Sequence, residues 1–224
     1  MSPTIIFIEG NIGSGKTTFL SLLEKKYPNC QVIYEPLEKW TELSDSQGKN
    51  ILQYFYDDMN RYTYTFQSFA FLSRAMLLDK IDEKVDIVFI ERSIFSDKNI
   101  FAKNCYQNGF MSEIEWNLYN KWFEWMISKL KLDNYMHLYL KCNPEISYER
   151  LRKRNRKEEE NISLKYIKDI HECHENWLNN EKTITLDASQ PFVSDEETLR
   201  KMISKISMKT FEFDAKNIIE IMHC

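Results

Sequence analysis

Gly10-Asn11-Ile12-Gly13-Ser14-Gly15-Lys16-Thr17 satisfies the pattern GxxxxGK(S/T). The chain has only five glycines, and three of them, Gly10, Gly13 and Gly15, lie in this stretch. A glycine-poor sequence that concentrates them at one place has a specific backbone need there. The setting agrees. The β-branched run Thr4–Glu9 (TIIFIE) precedes the glycines, and a helical pattern with Phe19, Leu20, Leu22 and Leu23 follows. In that context the amides from Gly13 to Thr17 turn inward around phosphate oxygens at a helix N-terminus. Lys16 reaches the outer phosphates and the Thr17 hydroxyl can hold Mg²⁺. An ordinary glycine-rich turn is the competing reading, and the strand–loop–helix context argues against it.

Working outward, four more strand-like runs follow: Gln31–Glu35 closed by Pro36, Asp86–Glu91, His137–Lys141 and Thr183–Asp187. These runs are nearly continuous in apolar residues, which indicates a sheet buried on both faces. Helical patterns separate them, so the expectation is an α/β fold with a doubly wound, five-stranded parallel sheet. Right-handed crossovers put the C-terminal strand ends, with Gly10, Glu35, Glu91 and Asp187, on one rim, where ligands bind. No repeat or linker divides the chain, so residues 1–224 are expected to form one domain.

Composition sets the outer limits. At 224 residues, with 43% hydrophobic and 14% aromatic content, the chain can fill a large core and is not disordered. Its 30 basic and 34 acidic residues nearly cancel, and the pI is near 5.7, which argues against a dedicated nucleic-acid binder. The longest aliphatic stretch, Ile87–Ile90, is strand-sized and no transmembrane span is expected. The N-terminus carries no secretory pattern. The five cysteines are widely spaced without a CxxC pair, which points to reduced thiols in a cytoplasmic setting. His171 and His174 flank Cys173, but the segment reads as a face of an amphipathic helix and not as a metal site.

Two helical regions, about Ile51–Leu78 and Ser112–Leu130, carry more apolar surface than one core face requires. In the second, Ile114, Leu118, Trp122 and Trp125 form one stripe, and Trp116, Tyr119, Phe123 and Ile127 another. Such a helix is either central to the core or part of a subunit interface. Among P-loop proteins, a GTPase would show an Asn-Lys-x-Asp motif, and none is present. A helicase would carry an acidic pair after its third strand, where this chain has Glu91-Arg92-Ser93. Glu35 can accept a proton from an attacking hydroxyl, though Glu-Pro is equally a strand stop. Glu91-Arg92 can be catalytic or a structural ion pair.

Together with the phosphate loop these residues closely resemble the deoxynucleoside kinase family. The resemblance runs from about Thr4 to Leu186 through GNIGSGKTT (10–18), EPLEKW (35–40), NILQYFY (50–56), TFQSFAFLSR (65–74), ERSIFSDKNIFA (91–102), RLRKRNRKEEE (150–160) and LKYIKDIHECHENWL (164–178). It implies a P-loop nucleoside kinase fold with a helical lid over ATP, at about 150–162. It also implies ATP as phosphate donor, Mg²⁺, a small-molecule deoxynucleoside acceptor and a homodimer. The loop from Gly10 to Thr18 would hold the ATP phosphates. Glu35 would be the base for the 5′-hydroxyl, Arg92 would hold that hydroxyl and the incoming phosphoryl group, and Glu91 would help position Mg²⁺. Tyr56 and Glu159 would bind the sugar 3′-hydroxyl and Gln67 the base edge. Phe101 would stack on the base, with Ile12, Trp40, Leu52, Phe55 and Phe66 closing the pocket.

A run such as Arg150–Glu160 is usually a solvated helix face or a nucleic-acid patch, but three glutamates directly after the basic residues cancel the field a nucleic acid would need. Arg150 and Arg154 share a helical face, and Arg156 can swing in. Guanidiniums closing on the β- and γ-phosphates supply the stabilisation phosphoryl transfer requires. Arg74 and Asp97 match the Arg/Asp pair of deoxycytidine- and deoxyguanosine-type members, whereas GNIGSGK and EPLEKW look more like thymidine and broad-specificity members. The expected reaction is 5′-phosphorylation of deoxycytidine or purine deoxynucleosides. The rivals are a thymidylate-type monophosphate kinase and a catalytically silent nucleotide-binding subunit.

Overall fold

The computed structural model describes residues 3–205 apart from 28, 133, 181–182, 191, 193–196 and 203. The tail from Met208 to Cys224, which carries no recognised motif, lies outside these residues. All six residues of β1 (Thr4–Glu9) are buried, and their alternation divides them between two layers. Ile6 and Ile8 pack with Phe19, Leu20 and Leu23 of α1 (Lys16–Lys26), while Ile5 and Phe7 face Ile33, Val88 and Ile90. Each large apolar side chain so buried contributes roughly 1.5–3 kcal/mol, which fixes β1 at the centre.

The other strands are β2 (Cys30–Ile33), β3 (Ile87–Glu91), β4 (Tyr135–Lys141) and β5 (Thr183–Asp187). They form one parallel sheet in the order β2-β3-β1-β4-β5, the doubly wound arrangement expected. The strand reversal on either side of β1 opens a crevice at the C-terminal edge, above the phosphate loop. β2 ends two residues before Glu35, so that side chain stands on the turn into α2 (Leu37–Glu42) and not on the strand.

The apolar region 51–78 is two helices. α3 (Ile51–Asp57) opens on a capping box of Asn50 and Gln53, and α4 (Met59–Ala75) begins at Asp58, whose φ of −143° breaks the run and whose carboxylate caps Arg61 N. After β3 comes α5 (Ile94–Ser96), a π-helical turn at Asp97–Ala102 and α6 (Lys103–Gln107). α7 (Glu113–Ile127) carries the expected capping box of Ser112 and Glu115. Its two stripes have different fates. Tyr119 and Phe123 are buried, while Ile114, Leu118, Trp122 and Trp125 are 75%, 45%, 51% and 53% exposed. α8 (Pro144–Arg154) leads through Asn155, in the left-handed region, to a 3₁₀ turn at Lys157–Glu159, and α9 (Leu164–Leu178) returns to the sheet. No helix among the described residues is long and apolar enough to cross a membrane, and no cluster of potential metal ligands of the His/Cys/Asp/Glu type occurs among them. His174 is instead a core residue, its Nδ1 2.8 Å from Ile170 O.

Candidate active site

The phosphate loop is glycine-built for steric reasons. Gly13 has φ 82°, and a Cβ there would stand 2.1 Å from the carbonyl oxygen of Ser147 on α8. Gly10, with φ 148°, would put a Cβ 2.8 Å from the Leu140 carbonyl. Lys16 Nζ donates to the carbonyls of Gly10 at 3.1 Å and Asn11 at 2.8 Å, across the loop it serves. Burial and the Arg92 charge push its pKa down to about 7, against the pull of Glu91 and Glu35. An incoming anion favours the charged ammonium. Gly13, Gly15, Thr17, Thr18 and Ile12 face a cleft of about 900 Å³. Asn11 and Ser14 are buried behind it, Asn11 Nδ2 tying the loop to Ile167 O at 2.8 Å.

Thr17 Oγ1 donates to Glu91 Oε1 at 2.8 Å. A hydroxyl and a carboxylate side by side beneath the phosphate loop are hard oxygen donors, the type Mg²⁺ takes. Arg92 follows with φ 62°, a conformation few non-glycine residues adopt. Its Nη1 donates to Gly10 O at 2.8 Å and its Nε lies 3.1 Å from Glu35 Oε1. That same carboxylate oxygen receives Nη2 of Arg74, whose Nη1 grips Asp97 Oδ1. Burial opposes ionisation of Glu35, but Arg74, Arg92 and Lys16 outweigh it and hold its carboxyl at about 2. Asp97 is wholly buried, and that burial raises its carboxyl despite Arg74.

An apolar chamber adjoins this charged junction. Phe55 stacks on Phe66 at 4.7 Å, Trp40 meets Phe66 edge-on at 5.4 Å, and Leu52 packs beside them. The Arg74 guanidinium lies 4.8 Å over the Trp40 ring and Arg92 lies 4.7 Å over Phe101. Gln67, on α4, is buried with Nε2 toward Cys105 Sγ at 4.0 Å and Oε1 unpartnered; Arg74 Nε and Asp97 Oδ2 are likewise without a partner. The π turn carries both Asp97 and Phe101 into the wall, a local departure often seen at functional sites.

At the other side stand the end of α8 and the turn that follows it. Arg154 Nη2 reaches both oxygens of Glu159, at 2.8 and 2.6 Å, and Arg156 Nη1 lies 3.5 Å from it. Tyr56 lines the cleft with Glu159, and burial together with the Glu159 and Glu35 charges keeps its phenol protonated. Arg150 borders the cleft but donates to the carbonyls of Ala188 at 2.8 Å and Ser189 at 3.4 Å, anchoring α8 to the segment after β5. Sequence reasoning missed several supports. Ser73 fixes Trp40 through a 2.8 Å bond from the indole, Asn50 links α3 to Glu158, and Tyr166 of α9 lines the cleft within 6.4 Å of the Tyr56 ring. Tyr166 lies inside a quoted motif, but nothing in the sequence showed which helix face turned inward.

A phosphate loop at the C-terminal edge of a parallel sheet, arginines across the cleft from it and a partly buried carboxylate opposite them define a P-loop phosphotransferase. The family model for deoxynucleoside kinase matches residues 6–211. Deoxycytidine kinase 2 of Gallus gallus is 42% identical over 204 residues, 81% of this chain and 76% of the relative. Deoxycytidine kinase of Mus musculus is 36% identical over 89% of each chain, and mitochondrial deoxyguanosine kinase of Xenopus laevis is 36% identical over 79% of this chain and 73% of its own. The chain belongs to the deoxynucleoside kinase family. It is an enzyme that phosphorylates deoxynucleosides, with ATP as the donor that kinase membership implies.

Proposed function

We propose that Glu35 takes the proton of the deoxynucleoside 5′-hydroxyl as that oxygen attacks the γ-phosphorus of ATP. The observation that carries this is the carboxylate's position. Glu35 is held by Arg92 and Arg74 where the phosphate loop meets the apolar chamber. A carboxyl held at about 2 is a weak base. In a loose transition state the hydroxyl proton departs late, so placement matters more than basicity. Arg92, Lys16, Arg154 and Arg156 supply cationic charge to the transferring group, and Arg150 supports the donor side. Thr17 and Glu91 would hold Mg²⁺, which neutralises charge on the donor phosphates. Tyr56 and Glu159 face the sugar; Gln67, Arg74 and Asp97 read the base, with Phe101 and the aromatic chamber packing on it.

The unpartnered Gln67 Oε1, Arg74 Nε and Asp97 Oδ2 support a base rich in polar edge groups. A thymine methyl would leave such groups unpaired. The relatives named above are deoxycytidine and deoxyguanosine kinases, on the same side. The preferred acceptor is therefore deoxycytidine or a purine deoxynucleoside. The exposed aromatic stripe of α7 supports a homodimer, the free thiols among the described residues support a cytoplasmic enzyme, and the single sheet supports one domain. Supplying the four deoxynucleosides at matched concentration with ATP and Mg²⁺ tests the reading. Efficient thymidine phosphorylation would refute the base preference, and phosphorylation of thymidine monophosphate in its place would refute the acceptor class.

A further inference from the structure

Glu9, the last residue of β1, is a wholly buried carboxylate outside the cleft. Its Oε1 accepts from Ser93 twice, from the backbone N–H at 3.0 Å and from Oγ at 2.5 Å. His137 Nδ1 on β4 lies 3.5 Å from the same oxygen, within ion-pair reach. Burial alone would raise this carboxyl, but His137, Ser93 and the Arg92 charge bring it below its ordinary value, so it is ionised. Ser93 in turn caps α5, its Oγ accepting from Ser96 N at 3.1 Å, and Ser96 Oγ closes back on Ser93 O at 2.7 Å. Between β3 and this cap stands Arg92, in its left-handed conformation, with its N–H bonded to Ile8 O at 3.0 Å. An arginine gains nothing intrinsic from φ 62°; the conformation persists because its surroundings over-determine it.

We infer that Glu9 is a positioning residue: through its two bonds to Ser93 it locks the turn that aims Arg92 at Glu35. The strand end that starts the phosphate loop and the strand end that presents the guanidinium are thereby clamped by one buried carboxylate. Displacement of Arg92 by about 1 Å would be felt in turnover on the order of 10²-fold. The inference rests on the assignment of Arg92 and Glu35 to the reacting centre.

Glu9→Leu and Glu9→Gln test it, with kcat and KM for the deoxynucleoside and the acid limb of kcat measured in the full chain. Glu9→Leu leaves both Ser93 donors unpaired. It should lower kcat on the order of 10–100-fold while KM stays within about 3-fold, and should move the acid limb upward because Arg92 no longer depresses Glu35 alongside Arg74 and Lys16. The amide oxygen of Glu9→Gln can still accept from Ser93, so that variant should recover kcat to within about 5-fold of the parent. A folded Glu9→Leu with parental kcat and acid limb overturns the inference, as does a Gln variant as impaired as the Leu one. If Glu9→Leu does not fold, Ser93→Ala removes one of the two bonds and should lower kcat by about 3–10-fold; parental kcat there overturns it equally. Glu35→Gln in the parent separates the two readings. Undiminished turnover there removes the acid limb as a readout of Glu35 but leaves the kcat-against-KM comparison for Glu9 intact.

Discussion

Arg92 Nε lies 3.1 Å from Glu35 Oε1, so the group assigned to take a proton and a cation assigned to the phosphoryl group are already in contact before any substrate is considered. With Arg74 on the same oxygen, the contact helps set both the charge state and the aim of the carboxylate. If Glu35 is the base, Glu35→Gln keeps shape and hydrogen bonding but removes the basic oxygen, and kcat should fall about 10²–10⁴-fold. Deoxynucleoside Kd, measured by calorimetry, should stay within a few-fold. Near-parental turnover would sink the assignment.

The pH dependence follows in sign. Glu35 has its carboxyl depressed from 4.5 to about 2 by Arg74, Arg92 and Lys16 against the effect of burial. Its ionised form is thus complete above the ordinary carboxyl value and is lost only as pH falls through about 2. Between pH 5 and 7 no loss of kcat should trace to this group. In Arg74→Met/Asp97→Ala the limb should rise toward 4.5, visible in kcat profiles between pH 4 and 6. An unmoved limb would show that Arg74 does not set the state of Glu35.

The same double variant addresses the base. Removing both members avoids stranding one buried charge, and thymidine phosphorylation should rise relative to deoxycytidine. Absolute rates should fall for both substrates because Arg74 also holds Glu35, so the ratio of kcat/KM values is the readout. A ratio equal to the parent's would exclude the pair from base selection.

Mg²⁺ removal should abolish turnover. Chelation with EDTA and restoration by added Mg²⁺ checks this, and Thr17→Ala should raise the Mg²⁺ concentration needed for half-maximal rate. A metal requirement unchanged in Thr17→Ala would take the hydroxyl out of that role.

Sedimentation at micromolar concentration should give a species of twice 27.0 kDa. Leu118→Glu/Trp122→Glu, placing charge on the exposed face of α7, should shift it to the single mass without unfolding. A parent that sediments as a monomer would refute the dimer.

Much of the architecture was legible because two strong signals coincided. The apolar run of Thr4–Glu9 led into glycines spaced as in a phosphate loop, and the later runs were again short, nearly continuous in apolar residues and separated by helical patterns. Helix boundaries were less legible. Apolar residues resume directly after Asp57-Asp58, so the two regions read as one, although Asp58 caps α4 and splits it from α3. The π turn at Asp97–Ala102 has no sequence signature, since one extra residue in a turn leaves composition unchanged. Arg92 gave no hint of its left-handed backbone. Glu9 read as a strand terminus, although an acid closing a wholly apolar run was a signal that it would be buried. Arg150 was expected to close on the donor phosphates, but its bonds to Ala188 and Ser189 depend on where β5 delivers the chain.

The exposed stripe of α7 also gives the chain a built-in spectroscopic probe. Trp122 and Trp125 stand edge-to-face at 6.4 Å in solvent, whereas Trp40 is buried and Trp116 and Trp177 are half-buried. Long-wavelength emission, and the part of it that iodide can quench, should therefore come mainly from the first two. Dilution through an association equilibrium would be readable as an increase in quenchable light, without attaching any label.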